Sequence, residues 1–169
     1  IEKKTPEKML IELIKRLDKC DEQNGEECSG SIVATSMDEG DIEKLMNWRY
    51  TNICSDGSSS GRHPRGSGAF TKVLNYYVRD ANVLTLEQAI YKMTGLAAEN
   101  LGIEKRGFIK PGYYADLVLF DPATVKDNST ILNPQAVSTG INTVWVNGVE
   151  VYTEKAVAKK YPGHVIRRK

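Results

Sequence analysis

Hydrophobic residues at steps of three and four predict a helix near the start of the chain. Thr5-Pro6 supplies a hydroxyl N-cap followed by proline at the first helical position, where its missing N–H is not needed. The face predicted to pack on a core consists of Met9, Leu10, Leu13, Ile14 and Leu17. The polar residues 18–30 are predicted to form a loop.

The pattern then alternates between strand-like and helix-like segments. Residues 31–35 predict a short buried strand, and Ser36 with Glu39 forms a capping-box pattern that opens a second helix. Residues 50–54 predict another strand, which leads to Asp56. Such alternation is typical of parallel strands joined by helical crossovers, so these two strands should lie adjacent and parallel. Two strands do not make a stable parallel sheet, and their partners are expected in sequence outside this chain.

Three helices in the middle of the chain are predicted from apolar residues at helical spacing. The positions expected to face inward are Ile42, Leu45 and Met46, then Phe70, Val73, Leu74, Tyr77 and Val78, then Leu86, Ala89, Ile90 and Met93. Thr85 and Gln88 form a second capping box. A short helix after Thr94 should end at Gly102.

Strand and turn signals follow Gly102. Pro111-Gly112 predicts a turn, and residues 116–120 predict a buried strand. Residues 143–146 and 149–152 flank Asn147-Gly148, a pair that predicts a hairpin with a type I′ turn. These later strands are antiparallel in style and indicate a small, separate β domain.

Composition excludes several classes of function. The 23 Lys and Arg residues nearly balance the 22 Asp and Glu residues, so neither nucleic acid nor a membrane is a predicted partner. No apolar run approaches the roughly 20 residues of a membrane span. Cys20 and Cys28 could pair across a polar loop, but an odd cysteine count without paired spacing favours a reduced, cytoplasmic setting. Because the chain begins with Ile1, we interpret it as a piece of a longer protein.

The candidate chemistry lies where the strand predicted at residues 50–54 ends. Asp56 follows that strand and could ligate a metal or move a proton, and Arg65 in the next loop could hold an anion. His63 lies in the same loop, where it could contact substrate or only stabilise the shape of the loop. An ordinary Asp-Gly turn is the alternative for Asp56. Cys54 is predicted to be a small core residue.

Two long segments, residues 92–103 and 106–122, resemble the C-terminal end of amidohydrolases. Within that superfamily, His63-Pro64-Arg65-Gly66 and the later residues 139–141 and 146–148 resemble N-acyl-D-amino-acid deacylases, also called D-aminoacylases. The resemblance covers most of the chain from about Ser31 onward.

The resemblance implies an α/β fold and a division of the chain. Residues 1–102 would be the last βα units of a metal-dependent (β/α)8 barrel with the helices that follow them. Residues 103–169 would be the C-terminal part of a small β-sandwich domain. The strand at residues 50–54 would be the last barrel strand, and Asp56 the aspartate beside zinc.

The resemblance also implies roles for three residues. Asp56 would be both a metal ligand and the proton shuttle for a zinc-activated water. Arg65 would bind the α-carboxylate of a small-molecule substrate, an N-acyl-D-amino acid, with His63 as a further substrate contact. The chain contains no His-x-His, so most zinc ligands are expected in the missing N-terminal part of the same enzyme. The fragment alone should therefore bind zinc weakly and be inactive.

Two alternatives stay open. The complete protein could be another amidohydrolase, such as a hydantoinase-like or dihydroorotase-like cyclic amidase, or a dipeptidase. It could instead be a non-catalytic module that folds only with a partner chain. A His-x-His strand in the upstream sequence would favour an enzyme, and its absence would favour the module.

Overall fold

The structure is a computed structural model that describes residues 4–24, 36–58, 61 and 63–167. The chain divides into two compact units, Ile1–Thr35 and Ser36–Lys169. The strand predicted at residues 31–35 and its pairing with residues 50–54 lie outside the described residues, as does Cys28. The division predicted between residues 102 and 103 concerns a larger protein and stays a prediction.

The helix of the first unit, α1, is longer than predicted. It spans Pro6–Asn24, so its start confirms Thr5 as the residue before the helix, but the loop predicted from Asp18 is wrong as far as Asn24. Polar residues with fair helix propensity continue the helix, and the first strong breaker in the sequence is Gly25. The predicted apolar face is not buried, since Met9, Leu10, Leu13 and Ile14 are all exposed.

Helices form the first part of the second unit. They are α2 (Glu39–Asn47), α3 (Arg65–Lys72), a π-helical segment that continues α3 (Val73–Asp80), α4 (Leu86–Met93) and α5 (Gly95–Leu101). Their core consists of Val73, Tyr77, Leu84 and Ala89, against which Ile42, Met46, Ile53, Val78, Val83 and Met93 pack. Leu45 and Phe70, predicted to face inward, are exposed because the apolar stripes are wider than the faces that pack.

The helix ends test three capping predictions. The Thr85–Gln88 capping box of α4 is confirmed, with both reciprocal hydrogen bonds present. Gly102 ends α5 in the left-handed conformation, as predicted. The N-cap of α2 is wrong, because Asp38 rather than Ser36 accepts a hydrogen bond from the Gly40 N–H at 2.9 Å. Asp and Ser are comparable N-cap residues, and Asp38 lies one residue before the helix.

The strand predicted at residues 50–54 does not form in the structure. The segment is extended, with alternate side chains inward and outward, and the Ile53 N–H donates to the Lys92 carbonyl of α4 at 3.1 Å. A parallel strand requires a hydrogen-bonded neighbour, and no strand of the described residues pairs with this segment. Cys54 points outward and is exposed, so its predicted place in the core is also wrong.

The sheet of the second unit is antiparallel. Its order is β1 (Leu117–Phe120), β2 (Ile141–Val146), β3 (Val149–Thr153) and β4 (Ala156–Val157). The β2–β3 hairpin is confirmed, since Asn147 and Gly148 both have positive φ, 49° and 79°. The predicted burial of β1 is wrong, because Val118 and Leu119 are each 54% exposed in this edge strand.

Two arginines bind loop residues next to the strands of the sheet. Arg106 pairs with Asp116, donates to the Asn147 side chain at 2.7 Å and stacks over the Tyr114 ring. Arg79, from the π-helical segment, donates to the Val125 carbonyl at 2.8 Å. The sheet is thereby joined to the helices within the second unit.

In the described ranges, no helix is both long enough and apolar enough to cross a membrane.

The mixture of helices and sheet fits the predicted α/β class, and the barrel and the sandwich stay predictions.

We expect Gly140→Ala to destabilise the protein much more than Gly112→Ala. Both glycines have φ near +80°, a conformation that costs a residue with a Cβ about 1–2 kcal/mol. A Cβ on Gly112 meets open space, whereas one on Gly140 would lie 2.5 Å from the main chain of Val125. Overpacking of this kind adds about 1–3 kcal/mol. Urea unfolding of both variants measures the difference, and equal losses would contradict the packing argument.

Candidate active site

The structure brings Asp56 and Arg65 together. The guanidinium Nη2 of Arg65 lies 2.5 Å from the Asp56 carboxylate, and the two side chains are 53% and 71% exposed. Asp56 ends the extended segment with φ +49°, and Arg65 is the first residue of α3 rather than a loop residue. An exposed carboxylate therefore faces an exposed guanidinium at the start of a helix.

A close approach of two glycines holds the two side chains near each other. A Cβ on Gly57 would lie 3.0 Å from both the Cα and the carbonyl oxygen of Gly66. Each glycine directly follows one member of the ion pair. The lack of a side chain at Gly57 thus lets the turn after Asp56 lie against the first turn of α3.

His63 shapes the entry to α3. Its Nδ1 accepts a hydrogen bond from the Arg65 N–H at 3.1 Å, and its carbonyl accepts one from the Gly66 N–H at 3.0 Å. An acceptor at Nδ1 places the proton of a neutral imidazole on Nε2. These contacts fit the loop-stabilising role considered for His63, and its predicted contact with substrate stays a prediction.

A segment from the later part of the chain packs on the same helix start. The Ser129 hydroxyl lies 3.0 Å from the Pro64 carbonyl and 2.6 Å from the Asp127 carboxylate. A Cβ on Gly68 would lie only 2.0 Å from that carboxylate, so the contact requires glycine. Ser129 was not identified from the sequence, since Asp and Ser in a polar stretch indicate only a turn.

Lys92 is a second residue that the sequence analysis did not identify as part of the site. It is 6% exposed, and its ammonium donates to the carbonyls of Trp48 at 2.7 Å and Thr51 at 3.3 Å. Burial lowers the pKa of this lysine. Lys92 follows Ala89 by three residues, which places both on the same inward face of α4, and this spacing could have identified the lysine as buried.

A metal site is not complete in the described part of the chain. No group of three or more His, Cys, Asp or Glu side chains there could hold a metal ion. Catalytic zinc takes three protein ligands, and the exposed Asp56 carboxylate could supply one oxygen. The described residues therefore do not make a zinc site by themselves.

Comparisons with known proteins point to one family. The sequence profile of the amidohydrolase family matches residues 51–152. N-acyl-D-aspartate deacylase of Alcaligenes xylosoxydans xylosoxydans is 46% identical over 132 residues, which are 77% of this chain and 26% of that protein. A dihydroorotase of Lactobacillus gasseri matches less well, with 33% identity over 86 residues, 51% of this chain and 19% of that protein.

Solved structures give the same result. A crystal structure of D-aminoacylase has a TM-score of 0.75 and 44% identity, over 78% of this chain and 28% of that one. N-acyl-D-glutamate deacylase from Bordetella bronchiseptica, complexed with zinc and a phosphonate inhibitor, has a TM-score of 0.67 and 44% identity, over 70% of this chain and 25% of that one. The chain thus spans about a quarter of the length of these deacylases.

We expect Asp56→Asn to leave the stability of the chain nearly unchanged. The ion pair with Arg65 is exposed, and such pairs contribute about 0–1 kcal/mol. Asparagine also tolerates the positive φ of this position, whereas the β-branched valine does not. Urea unfolding should therefore show a clear loss only for the matched Asp56→Val variant. A loss above about 1 kcal/mol for Asp56→Asn would mean that the pair is structural.

Proposed function

Because this chain belongs to the amidohydrolase family, we propose that the complete protein hydrolyses the amide bond of N-acyl-D-amino acids. The observation that carries the proposal is the contact between Asp56 and Arg65. A carboxylate that can move a proton and a guanidinium that can bind a substrate carboxylate lie at one exposed place. Similarity to N-acyl-D-aspartate deacylase and to D-aminoacylase supports this choice of substrate class.

The same similarity supports the larger architecture that we propose. Residues 1–102 would contribute the last βα units and following helices of a (β/α)8 barrel, and residues 103–169 the later strands of a small β-sandwich. The extended segment before Asp56 would then be the last barrel strand, paired with strands from the rest of the protein. Its alternation of inward and outward side chains fits a strand whose hydrogen-bonded neighbours lie outside the described residues.

In the proposed reaction, Asp56 accepts a proton from the attacking water and then gives it to the leaving amine. Arg65 leaves its ion pair with Asp56 and holds the α-carboxylate of the substrate through two parallel N–H···O bonds. His63 keeps the start of α3 in the shape that aims Arg65. Zinc, with Asp56 as one ligand and further ligands from outside the described residues, would lower the pKa of its bound water.

The alternatives receive less support. The match to a dihydroorotase is shorter and weaker than the match to the deacylase, which disfavours a cyclic amidase. Membership of an enzyme family disfavours the non-catalytic module.

We place the complete protein in the cytoplasm, because the exposed Cys54 is a free thiol, which is typical of a reducing compartment.

In the complete protein, Asp56→Asn should lower kcat by about 10²–10⁴-fold, the usual contribution of general acid–base catalysis. The amide has the same size as the carboxylate but does not accept the proton. Steady-state hydrolysis of an N-acetyl-D-amino acid measures the effect, and circular dichroism checks the fold. Normal turnover by the variant would remove Asp56 from the mechanism.

Arg65→Lys should discriminate between two kinds of substrate in the complete protein. Lysine keeps the charge but lacks the planar fork, so kcat/KM should fall roughly 10- to 100-fold for substrates with a free carboxylate, the equivalent of one charged hydrogen bond. Substrates with an amidated carboxylate should be affected much less. Equal losses for both kinds would show that Arg65 supports the helix start and does not bind the carboxylate.

A further inference from the structure

We propose that Lys92 is a positioning residue that fixes the extended segment leading to Asp56. The proposal rests on the proposed function only for its catalytic consequence. Both the side chain and the main chain of Lys92 bind this segment. Among the described residues of α4, no other binds this segment through both its side chain and its main chain.

The contacts of Lys92 lie between three and eight residues before Asp56. The Lys92 ammonium donates to the carbonyls of Trp48 and Thr51, and the Lys92 carbonyl accepts from the Ile53 N–H. Two residues of the extended segment, and the C-cap of α2 before it, are therefore held from one point on α4. Asp56 follows Ile53 by three residues, at most about 11 Å of extended chain.

The chemistry of the segment explains why a lysine occupies this buried position. Trp48 is the C-cap of α2, and its carbonyl lies at the negative end of that helix, where a cation is stabilising. Main-chain carbonyls need donors, and besides the ammonium the Trp48 carbonyl accepts the Thr51 N–H at 3.1 Å. The ammonium reaches two of them through a long apolar stem that packs among the helices.

The Lys92 ammonium acts here as a hydrogen-bond donor and not as half of an ion pair. No carboxylate of the described chain lies within ion-pair distance of its Nζ, and its contacts are main-chain oxygens. Removal of the ammonium would leave the Trp48 and Thr51 carbonyls without this donor, and the segment would open more often. The effect should reach Asp56 without altering any group that contacts substrate.

The test compares Lys92→Met with Lys72→Met in the complete, metal-loaded protein. Methionine keeps an apolar stem and lacks the donors, and Lys72 is an exposed lysine in the last turn of α3. In Lys92→Met the Ile53 amide should exchange its hydrogen about tenfold faster or more, as expected from the loss of charged hydrogen bonds. In Lys72→Met its exchange should be unchanged.

The kinetic result separates positioning from general stability. In Lys92→Met, kcat should fall roughly 10- to 100-fold while KM changes little, because Arg65 is held by other contacts. Lys92→Arg keeps the charge and donors and should restore much of the rate. Should Lys92→Met fail to fold, Lys92→Gln, one atom shorter with a neutral donor, is expected to give the same pattern in a milder form.

Each outcome has a definite meaning. Unchanged exchange at Ile53, or an unchanged kcat in a folded variant, overturns the positioning role of Lys92. A normal rate in Lys92→Met together with a lost rate in Asp56→Asn leaves the proposed function intact. Failure of the proposed function would be seen separately, as absence of deacylase activity in the unsubstituted protein, and the exchange measurement would then decide the role of Lys92 alone.

Discussion

A buried ammonium group constrains the path of the chain toward Asp56. Lys92 binds the Trp48 and Thr51 carbonyls, and its own carbonyl binds the Ile53 amide, so α4 holds the chain shortly before Asp56. Ile53 can then pack against the helical core while its neighbours point outward. The place of Asp56 depends on this arrangement, because the carboxylate itself is exposed and has little packing of its own.

The start of α3 is held by contacts from the later part of the second unit. Ser129 contacts the Pro64 carbonyl, and the hydroxyls of Thr71 and Ser138 lie 2.7 Å apart farther along the helix. The later part of the second unit thus fixes the helix whose first residue is Arg65. Two separate parts of the sequence therefore determine where the carboxylate and the guanidinium lie, and changes far from either side chain can alter the distance between them.

Two local features were predictable from the sequence, although the N-cap of α2 was not, and features that depend on distant partners were missed. The capping box at Thr85 and the turn at Asn147-Gly148 need only a few local atoms, and both are confirmed. The strand at residues 50–54 requires neighbours that the described residues do not supply, and it is absent. Asp56 and Arg65 were identified through their loop and family resemblance, whereas Lys92 was missed because its acceptors lie more than 40 residues away.

The two kinds of polar contact in this region differ in a way that suits the proposed reaction. The pair between Asp56 and Arg65 is exposed, so water already screens it and little free energy is lost when the partners separate. A substrate carboxylate can therefore replace Asp56 at the guanidinium and leave Asp56 available to move a proton. The Lys92 side chain is buried, and loss of its ammonium removes a charged donor from the Trp48 and Thr51 carbonyls. The ion pair that a substrate can replace therefore lies at the proposed site, and the Lys92 contacts lie on the chain that leads to Asp56.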